Sequence, residues 1–296
     1  MASASHTPAL ANGSFTAVLG GPRIHYEVHG RGPVLMTLPN SWGLSLQGLR
    51  ALYRRLEERL TLVYFDPRGM GGSGPAGEAA DRGMAAVRTD FLALQRHLGL
   101  ERVAAIGWSN GAMNLIGLAA SHPATLCAAV FVHGVANSAP EDVQYFEERH
   151  PDLVKAYGEF MADVARPELT TAERTERLRR FWLGFYFPRL CADRAAGTSL
   201  VARVFEDAEL SWPHAERTNE EAAGFDARGD LARIRVPSLV VAGAHDLLPP
   251  SRVREMADGI PGAEFAVFDR SGHFAPVEEP EAFADVVCDF LDRRTR

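Results

Sequence analysis

The chain has 296 residues, about twice the usual length of a single domain, so it forms either one large domain or two smaller ones. An apolar fraction of 46% and 27 glycines spread along the chain exclude a disordered, collagen-like or coiled-coil protein. The net charge of −7 argues against a protein that binds nucleic acid or an anionic membrane surface.

Strand and helix patterns alternate through the first 135 residues. Two apolar runs, 15–19 and 24–29, flank Gly20-Gly21 and predict a hairpin. The later segments predict, in chain order, strand 34–38, helix 46–60, strand 62–65, helix 84–98, strand 103–108, helix 110–120 and strand 126–133. This alternation is typical of a mostly parallel sheet with helices on both faces.

The pattern changes between residues 135 and 225, where the strand signal vanishes and charged helical sequence follows. We expect this stretch to form an inserted helical cap on a core built from residues 1–134 and 226–296. The segments 138–141 and 170–173 have the S/T-x-x-E form of a capping box, which predicts two helix starts. Beyond the cap the sequence predicts strand 238–242, helix 251–259, strand 263–268 and helix 279–293.

Cysteine usage and the N-terminal residues indicate the compartment. Three widely separated cysteines, Cys127, Cys191 and Cys288, show no spacing for a disulfide scaffold or a metal site, so we expect no metal. Residues 1–11 lack the basic and apolar regions of a secretion signal, and no run of 18 apolar residues could span a membrane. We therefore expect a cytoplasmic protein, either a monomer or a homodimer.

A serine between two glycines stands out as a candidate nucleophile. Gly107-Trp108-Ser109-Asn110-Gly111 follows an apolar strand and opens a helix, and that context matters more than the five letters. Such a sharp turn requires glycines because a Cβ there would clash with neighbouring backbone. The pattern favours a nucleophilic Ser109 over a simple helix N-cap serine.

A serine nucleophile needs a base, and the base needs an orienting acid. Of ten histidines, His273 follows the last predicted strand, at the sheet edge where the ligand-facing residues of α/β proteins gather. Asp246 follows the strand 238–242 in the same way, whereas the rival acid, Asp66, is expected in a turn fixed by an Asx contact or by Arg68. We predict a catalytic triad of Ser109, Asp246 and His273.

These motifs resemble those of the α/β-hydrolase family, in particular its cap-bearing members related to proline iminopeptidases. The resemblance covers nearly the whole chain and rests on Asp66–Ser73, the turn at Ser109, Asp246, and Ser271-Gly272-His273. It implies an α/β-hydrolase fold with a twisted, mostly parallel sheet of about eight strands, and the triad order Ser, Asp, His is that of the family. It also implies an oxyanion hole made by the N–H groups of Asn110 and, in the loop after the third strand, Ser41, with Trp42 or Asn40 as alternatives.

The substrate pocket is predicted from aromatic side chains. The cap residues Phe181, Trp182 and Phe185 share one helical stripe, and we expect them to line an apolar pocket together with Trp42 and Trp108. Such a pocket suits the apolar acyl or alcohol group of a substrate. We expect no organic cofactor. The prediction is a serine carboxylesterase that acts on a small-molecule substrate.

Two alternatives remain open at this point. A proline iminopeptidase-like aminopeptidase would need cap acids for the substrate's amine, and the candidates are Glu206, Asp207, Glu209, Glu220 and Glu221. A receptor that binds its ligand with little or no turnover would keep the same fold. A lyase is disfavoured because it would want a cation near the substrate, and the only lysine, Lys155, is expected on the outside of the cap.

Overall fold

The computed structural model describes residues 10–40, 42–138 and 140–294, and within them eight strands form one sheet. The strands are β1 (Gly13–Val18), β2 (Arg23–Gly30), β3 (Val34–Leu38), β4 (Thr61–Phe65), β5 (Val103–Trp108), β6 (Leu126–Val132), β7 (Ser238–Gly243) and β8 (Glu264–Phe268). They lie across the sheet in the order β1-β2-β4-β3-β5-β6-β7-β8. The pairs β1·β2 and β2·β4 are antiparallel and all the other neighbours are parallel, so the predicted mostly parallel sheet is confirmed.

Helices connect the strands and cover both faces of the sheet. The helices are α1 (Leu46–Tyr53), α2 (Met84–His97), α3 (Asn110–Ser121), α4 (Pro140–Arg149), α5 (Pro151–Val164), α6 (Thr171–Phe181), α7 (Phe187–Leu190), α8 (Arg194–Val204), α9 (Trp212–Ala222), α10 (Arg228–Leu231), α11 (Pro250–Gly259), α12 (Ala275–Glu278) and α13 (Pro280–Arg294). Among the described residues, no helix combines the length and the apolar character needed to cross a membrane.

The strand residues divide between two apolar cores. Successive side chains of a strand point to opposite faces, and in β3 Leu35 joins one buried cluster while Met36 joins the other. Phe283 of α13 packs in the first cluster, and Phe91 of α2 and Leu115 of α3 pack in the second. Burial on both faces explains why the parallel strands read as nearly continuous apolar runs.

One predicted helix is shorter than its sequence pattern. The amphipathic segment 46–60 forms α1 only as far as Tyr53 and continues as a 3₁₀ turn, Arg54–Glu58. The tighter turn still buries Leu56, and Leu60 is buried directly before β4 begins. The apolar spacing therefore located the buried positions correctly, although the helix type changes.

Between β6 and β7 the chain forms α4–α9, a stretch that we call the helical insert (residues 135–225). Its two ends meet, because the Ser138 N–H donates to the Phe225 carbonyl at 2.9 Å and the Ala227 N–H donates to the Ala136 carbonyl at 2.7 Å. Both predicted helix starts are found, since α4 begins at Pro140 and α6 at Thr171. The capping box at α6 is confirmed by reciprocal Thr170 and Glu173 bonds, whereas the box at α4 involves residue 139, outside the described residues.

Candidate active site

Four neighbouring strands end at one edge of the sheet, and the segment after each strand supplies one polar side chain to the site. Ser109 comes directly after β5, and His133 directly after β6. Asp246 and His273 lie on the loops after β7 and β8. Because the carboxyl ends of parallel strands share one edge, the strand order β5-β6-β7-β8 brings the four residues together.

Ser109 occupies a strained turn between β5 and α3. Its φ of 55° lies in the left-handed region, which residues other than glycine rarely adopt. A Cβ on Gly107 would lie 2.4 Å from the Gly111 carbonyl oxygen, and a Cβ on Gly111 would lie 2.7 Å from the Leu38 carbonyl oxygen. The two glycines therefore let α3 pack close enough to hold the Ser109 hydroxyl at the sheet edge.

His273 faces Asp246 through one ring nitrogen. The distances from its Nδ1 to the two carboxylate oxygens of Asp246 are 2.9 Å and 3.0 Å. The backbone N–H of His273 donates to the Leu190 carbonyl at 2.9 Å, and the Trp108 indole N–H donates to the backbone carbonyl of His273 at 2.8 Å. These bonds fix the ring so that Nδ1 serves Asp246 and Nε2 remains for proton transfer.

The half-buried carboxylate of Glu278 holds the loop that carries His273. Glu278 accepts hydrogen bonds from the N–H groups of Gly272 and Phe274, on either side of His273, at 2.9 Å and 3.0 Å. It also accepts the N–H of Ala192 in the helical insert at 2.6 Å. Burial raises the pKa of Glu278, while these three donors favour its ionised form. One carboxylate thus ties the histidine loop to the insert.

A second histidine, which the sequence analysis did not single out, also binds Asp246. His133 is buried, has a φ of 54°, and places its Nδ1 2.7 Å from Asp246 Oδ2. Its Nε2 accepts the N–H of Ala275 at 3.3 Å, so Nδ1 carries the proton and donates it to Asp246. The available signal was its position directly after a buried strand, the same signal that identified Asp246 and His273.

The electrostatics of this cluster favour a charged aspartate. Burial opposes ionisation of Asp246, yet His273 and His133 hold the pKa of its carboxyl below the ordinary value. Burial lowers the pKa of His133, which keeps that imidazole neutral. The three side chains could offer metal ligands within 4.8 Å of one another, but both Nδ1 atoms already bind the carboxylate and a metal would have to displace these bonds.

Ser109 and His273 line one cavity of about 220 Å³. Among the described residues no hydrogen bond joins the Ser109 hydroxyl to His273. The contact between nucleophile and base is often loose in a structure without substrate and tightens in the complex. Most of the remaining wall is apolar or aromatic, and it includes Tyr157, Trp182, Tyr186 and Phe187 from the helical insert.

Three of the five predicted pocket residues line this cavity, namely Trp42, Trp108 and Trp182. Phe181 and Phe185 do not line it: Phe181 stacks on Phe160 at 4.4 Å, and Phe185 lies under the guanidinium of Arg189. For Phe185 the physical reason is a π-helical turn over Trp182–Tyr186, which the regular 3.6-residue period cannot anticipate. The extra residue rotates the following side chains, so that Tyr186 and Phe187 face the cavity instead.

Of the two predicted oxyanion residues, the structure describes Asn110. Asn110 is the first residue of α3 and is buried beside Ser109, while Ser41 lies outside the described residues. The N–H of Trp42, one of the alternatives, donates to the Asn40 side-chain oxygen at 2.8 Å and is therefore engaged. Asn40 itself lines the cavity.

The rival acid Asp66 has a structural place. Its carboxylate accepts the N–H of Leu46 at 2.8 Å and that of Gly72 at 3.0 Å, and it lies 3.1 Å from His25 Nδ1. Arg68 pairs with Asp90 at 2.6 Å, so the expected pairing with Asp66 was wrong. Asp66 thus fixes the loop after β4 and does not face His273.

This fold is that of the alpha/beta hydrolases. The chain belongs to the alpha/beta hydrolase family, whose model matches residues 28–286, as the sequence motifs predicted. A relative from Caulobacter sp. strain K31, provisionally named carbamate hydrolase RutD, is 30% identical over 275 residues, which cover 90% of this chain and 95% of the relative.

Solved structures show the same architecture. The enol-lactonase from Burkholderia xenovorans LB400 has a TM-score of 0.70 at 24% identity and covers 94% of this chain and 99% of its own. The proline iminopeptidase from Mycobacterium smegmatis has a TM-score of 0.71 at 20% identity and covers 95% of this chain and 98% of its own. At these identities the likeness shows the fold alone.

Proposed function

We propose that the protein is a serine hydrolase that cleaves neutral carboxylic esters through an acyl-enzyme. One observation carries this proposal: Ser109, on a strained turn, shares a cavity with a histidine whose Nδ1 is held by a buried aspartate. A serine hydroxyl becomes a useful nucleophile only with such a base and orienting acid.

Each residue has one role in the reaction. Ser109 Oγ attacks the ester carbonyl while His273 Nε2 accepts its proton, and Asp246 stabilises the charged imidazole. His273 then returns the proton to the leaving alcohol, and a water molecule activated by the same nitrogen releases the acid. The N–H groups of Asn110 and Ser41 hold the oxyanion, and each such donor is typically worth about 3 kcal/mol.

The lining of the cavity favours a neutral, apolar substrate. Among its described lining residues no lysine or arginine occurs, and the only carboxylate is Asp246, which both imidazoles occupy. A substrate anion would therefore lack a cation, and a substrate amine would lack a free acid. An uncharged ester bearing apolar groups satisfies the aromatic wall.

The aminopeptidase alternative receives less support. Of the acids proposed to bind an amine, Glu206, Asp207, Glu209 and Glu220 are exposed, and none of them lines the cavity among the described residues. Glu221 instead accepts the N–H of Met84 at 2.8 Å and pairs with Arg217. These contacts support the simpler interpretation, a solvated helical surface.

Carbamate hydrolysis is a second candidate, and the name of the Caulobacter relative favours it. A carbamate ester presents the same carbonyl to Ser109 with a nitrogen in place of the acyl carbon, so the same residues would act. The uncharged wall fits a neutral carbamate ester better than a free carbamate anion.

We also propose that the helical insert is a cap over this site. Tyr157, Trp182, Tyr186 and Phe187 of the insert supply one side of the cavity, and Ser109 and His273 supply the other. The bonds between residues 136–138 and 225–227 support domain limits close to 135 and 225.

The test is a rate assay on the purified protein with three substrate types: p-nitrophenyl acetate, a p-nitrophenyl N-alkylcarbamate and proline p-nitroanilide. We expect ester turnover, and we expect Ser109→Ala to lower kcat by roughly 10⁴- to 10⁶-fold because the nucleophile is lost. The matched control is Ser251→Ala, an exposed serine on α11, which should leave kcat unchanged.

Each other outcome has a definite meaning. An alanine variant at Ser109 that keeps a tenth of the activity would remove Ser109 as nucleophile. Preferred cleavage of the anilide would make the enzyme an aminopeptidase, and preferred cleavage of the carbamate would assign the second candidate. No turnover of any of the three by the wild-type protein would count against the ester proposal and favour the receptor alternative.

A further inference from the structure

A second cavity adjoins the one that holds Ser109. We call it the outer chamber: it has a volume of about 390 Å³ and lies against α4, α5 and the π-helical turn. Its wall is almost entirely apolar or aromatic and includes Phe146, Leu153, Val154, Tyr157 and Tyr186. The catalytic residues proposed above do not contact it.

The outer chamber shares part of its wall with the Ser109 cavity. Phe146, Tyr157, Tyr186 and Leu247 line both. The rings of Tyr157 and Tyr186 lie 6.3 Å apart, centroid to centroid, and the Tyr157 hydroxyl donates to Asn219 at 2.8 Å. That bond anchors Tyr157, so its ring forms a fixed wall between the two spaces.

The sizes of the two spaces indicate that a substrate needs both. Small-molecule sites in proteins usually have volumes of roughly 300–1,000 Å³. The Ser109 cavity, at about 220 Å³, lies below that range, and the outer chamber extends the site into it. An ester also carries one group on each side of its carbonyl, so two adjoining apolar spaces match its shape.

Among the described residues that line the chamber, His150 is the one side chain that titrates near neutral pH. Burial lowers the pKa of His150, and so does Arg194, whose guanidinium lies 3.0 Å from the His150 Nδ1. The lowered pKa favours a neutral imidazole, and no lysine, arginine, aspartate or glutamate occurs among the described residues that line the chamber. The geometry and the lining therefore agree on an uncharged, apolar occupant.

We infer that the outer chamber binds the longer of the two apolar groups of the substrate, which makes this a hydrolase of esters with a medium-length alkyl or acyl chain. This inference rests on the proposed function, since it places the reacting carbonyl at Ser109. Val154, on α5 and half-buried in the chamber wall, sets the depth available to the chain.

The experiment fills the chamber without touching the proposed catalytic residues. Val154→Trp adds a large side chain inside it, and the matched control Lys155→Trp adds the same side chain at the next position of α5, where the lysine side chain is 78% exposed. Each protein is assayed with p-nitrophenyl acetate and octanoate, and with ethyl and octyl acetate. Binding of 2-decanone, which has no bond to hydrolyse, is measured by calorimetry.

We expect Val154→Trp to lower kcat/KM at least tenfold for one of the two esters with an eight-carbon chain, p-nitrophenyl octanoate or octyl acetate. The kcat/KM values of both short esters should stay within twofold of wild type, and 2-decanone binding should weaken at least tenfold. Lys155→Trp should change none of these values beyond twofold. Val154→Ala, which enlarges the chamber, should raise kcat/KM for the same long ester.

The inference is overturned if Val154→Trp affects short and long esters equally, or leaves the long esters and 2-decanone binding unchanged. Its failure is distinguishable from failure of the proposed function. If the chain-length effect is absent but hydrolysis still depends on Ser109, only the assignment of the outer chamber is refuted. If Val154→Trp weakens ketone binding in a protein that turns over no ester, only the proposed ester hydrolysis is refuted.

Discussion

Asp246 divides one negative charge between two imidazoles. His273 and His133 both bring Nδ1 within 3.0 Å of its carboxylate, but only His273 leaves its Nε2 unbonded among the described residues. Because the carboxylate also accepts a hydrogen bond from His133, less of its negative charge is available to stabilise the protonated form of His273. His133 is therefore a positioning residue, which sets both the orientation of the carboxylate and its strength as a partner for the base.

Removal of His133 should change the pH dependence of the reaction. In His133→Ala the carboxylate has one donor fewer, so its charge favours the protonated form of His273 more strongly. We expect the midpoint of the rising limb of kcat/KM to move upward, because a carboxylate with one donor fewer stabilises the charged imidazole more strongly. The measurement is a profile of kcat/KM from pH 5 to 9 on p-nitrophenyl acetate.

A conservative variant separates positioning from folding. Asparagine tolerates the positive φ at this position and carries a side-chain N–H that can donate to Asp246, so His133→Asn should restore the midpoint. If His133→Ala only lowers the yield of folded protein and its profile matches that of the wild type, His133 has no positioning role.

Candidate site residues could be predicted from the sequence where their neighbours in the chain point to a role. Ser109 is marked by its glycines, and Asp246 and His273 each follow an apolar strand. His133 follows one too, but nothing beside it suggests chemistry, and its role depends on residues more than 100 positions away. The partners of Asp66 were also missed, because they come from β2 and the start of α1.

At the scale of elements, the junction of β5 and α3 depends on the absence of two side chains. Gly111→Ala would place a Cβ 2.7 Å from the Leu38 carbonyl oxygen of β3, so the start of α3 must shift and Ser109 with it. We expect kcat to fall roughly 100-fold, because displacements of about 1 Å cost that much in a preorganised site. Steady-state kinetics and thermal unfolding measure the two effects.

The matched control lies six residues later on the same helix. A Cβ on Gly117 would meet only the flexible side chain of Arg88, at 3.1 Å. Gly117→Ala should leave kcat unchanged and raise the free energy of unfolding by up to about 1 kcal/mol, the helix propensity of alanine over glycine. Equal kinetic damage from both substitutions would mean that the fit of Gly111 against β3 is not what positions Ser109.

Element boundaries were predictable where the chain carries its own start signals. The Thr170 capping box located α6, and Pro151 and the Asp193 N-cap are comparable signals for α5 and α8 that the sequence analysis did not use. The π-helical turn at Trp182–Tyr186 has no such signal, because it depends on how the insert packs. That is why a regular helical period could not predict which aromatic side chains after Trp182 face the cavity.

At the scale of the whole molecule, a buried histidine joins the helical insert to the core. His214 of α9 donates from Nε2 to the Arg68 carbonyl, 3.1 Å away in the loop after β4, and its Nδ1 accepts the Ser211 hydroxyl at 2.8 Å. Burial lowers the pKa of His214 to about 4. The folded protein therefore keeps this imidazole neutral well below pH 6.

The junction should make the protein sensitive to acid. The unfolded chain takes up a proton at His214 near pH 6.5, and the folded chain does so only near pH 4. The unfolded state thus binds more protons in this window, and the free energy of unfolding falls as the pH falls. We expect a contribution of about 2 kcal/mol to be lost between pH 7 and pH 5.

Urea unfolding at pH 7, 6 and 5 measures this loss in the wild type and in His214→Gln. Glutamine can donate a similar hydrogen bond but does not titrate, so the variant should lack that part of the pH dependence. An identical pH dependence in both proteins would show that other groups cause the acid sensitivity.

The overall architecture was predictable because alternating apolar runs and helical periods are local properties of the sequence. The order of the strands was not, since the insertion of β4 between β2 and β3 is decided by pairing between distant segments. The contact between insert and core through His214 is likewise long-range, and the sequence analysis left that histidine without a role.

The single lysine has a practical consequence. Lys155 projects from α5 with 78% of its side chain exposed, next to Val154 in the wall of the outer chamber. Once the α-amine has been blocked, an amine-reactive fluorophore would therefore modify one side chain of the protein, beside the chamber. A dye sensitive to its surroundings, attached there, would report in real time when the chamber fills and empties during turnover.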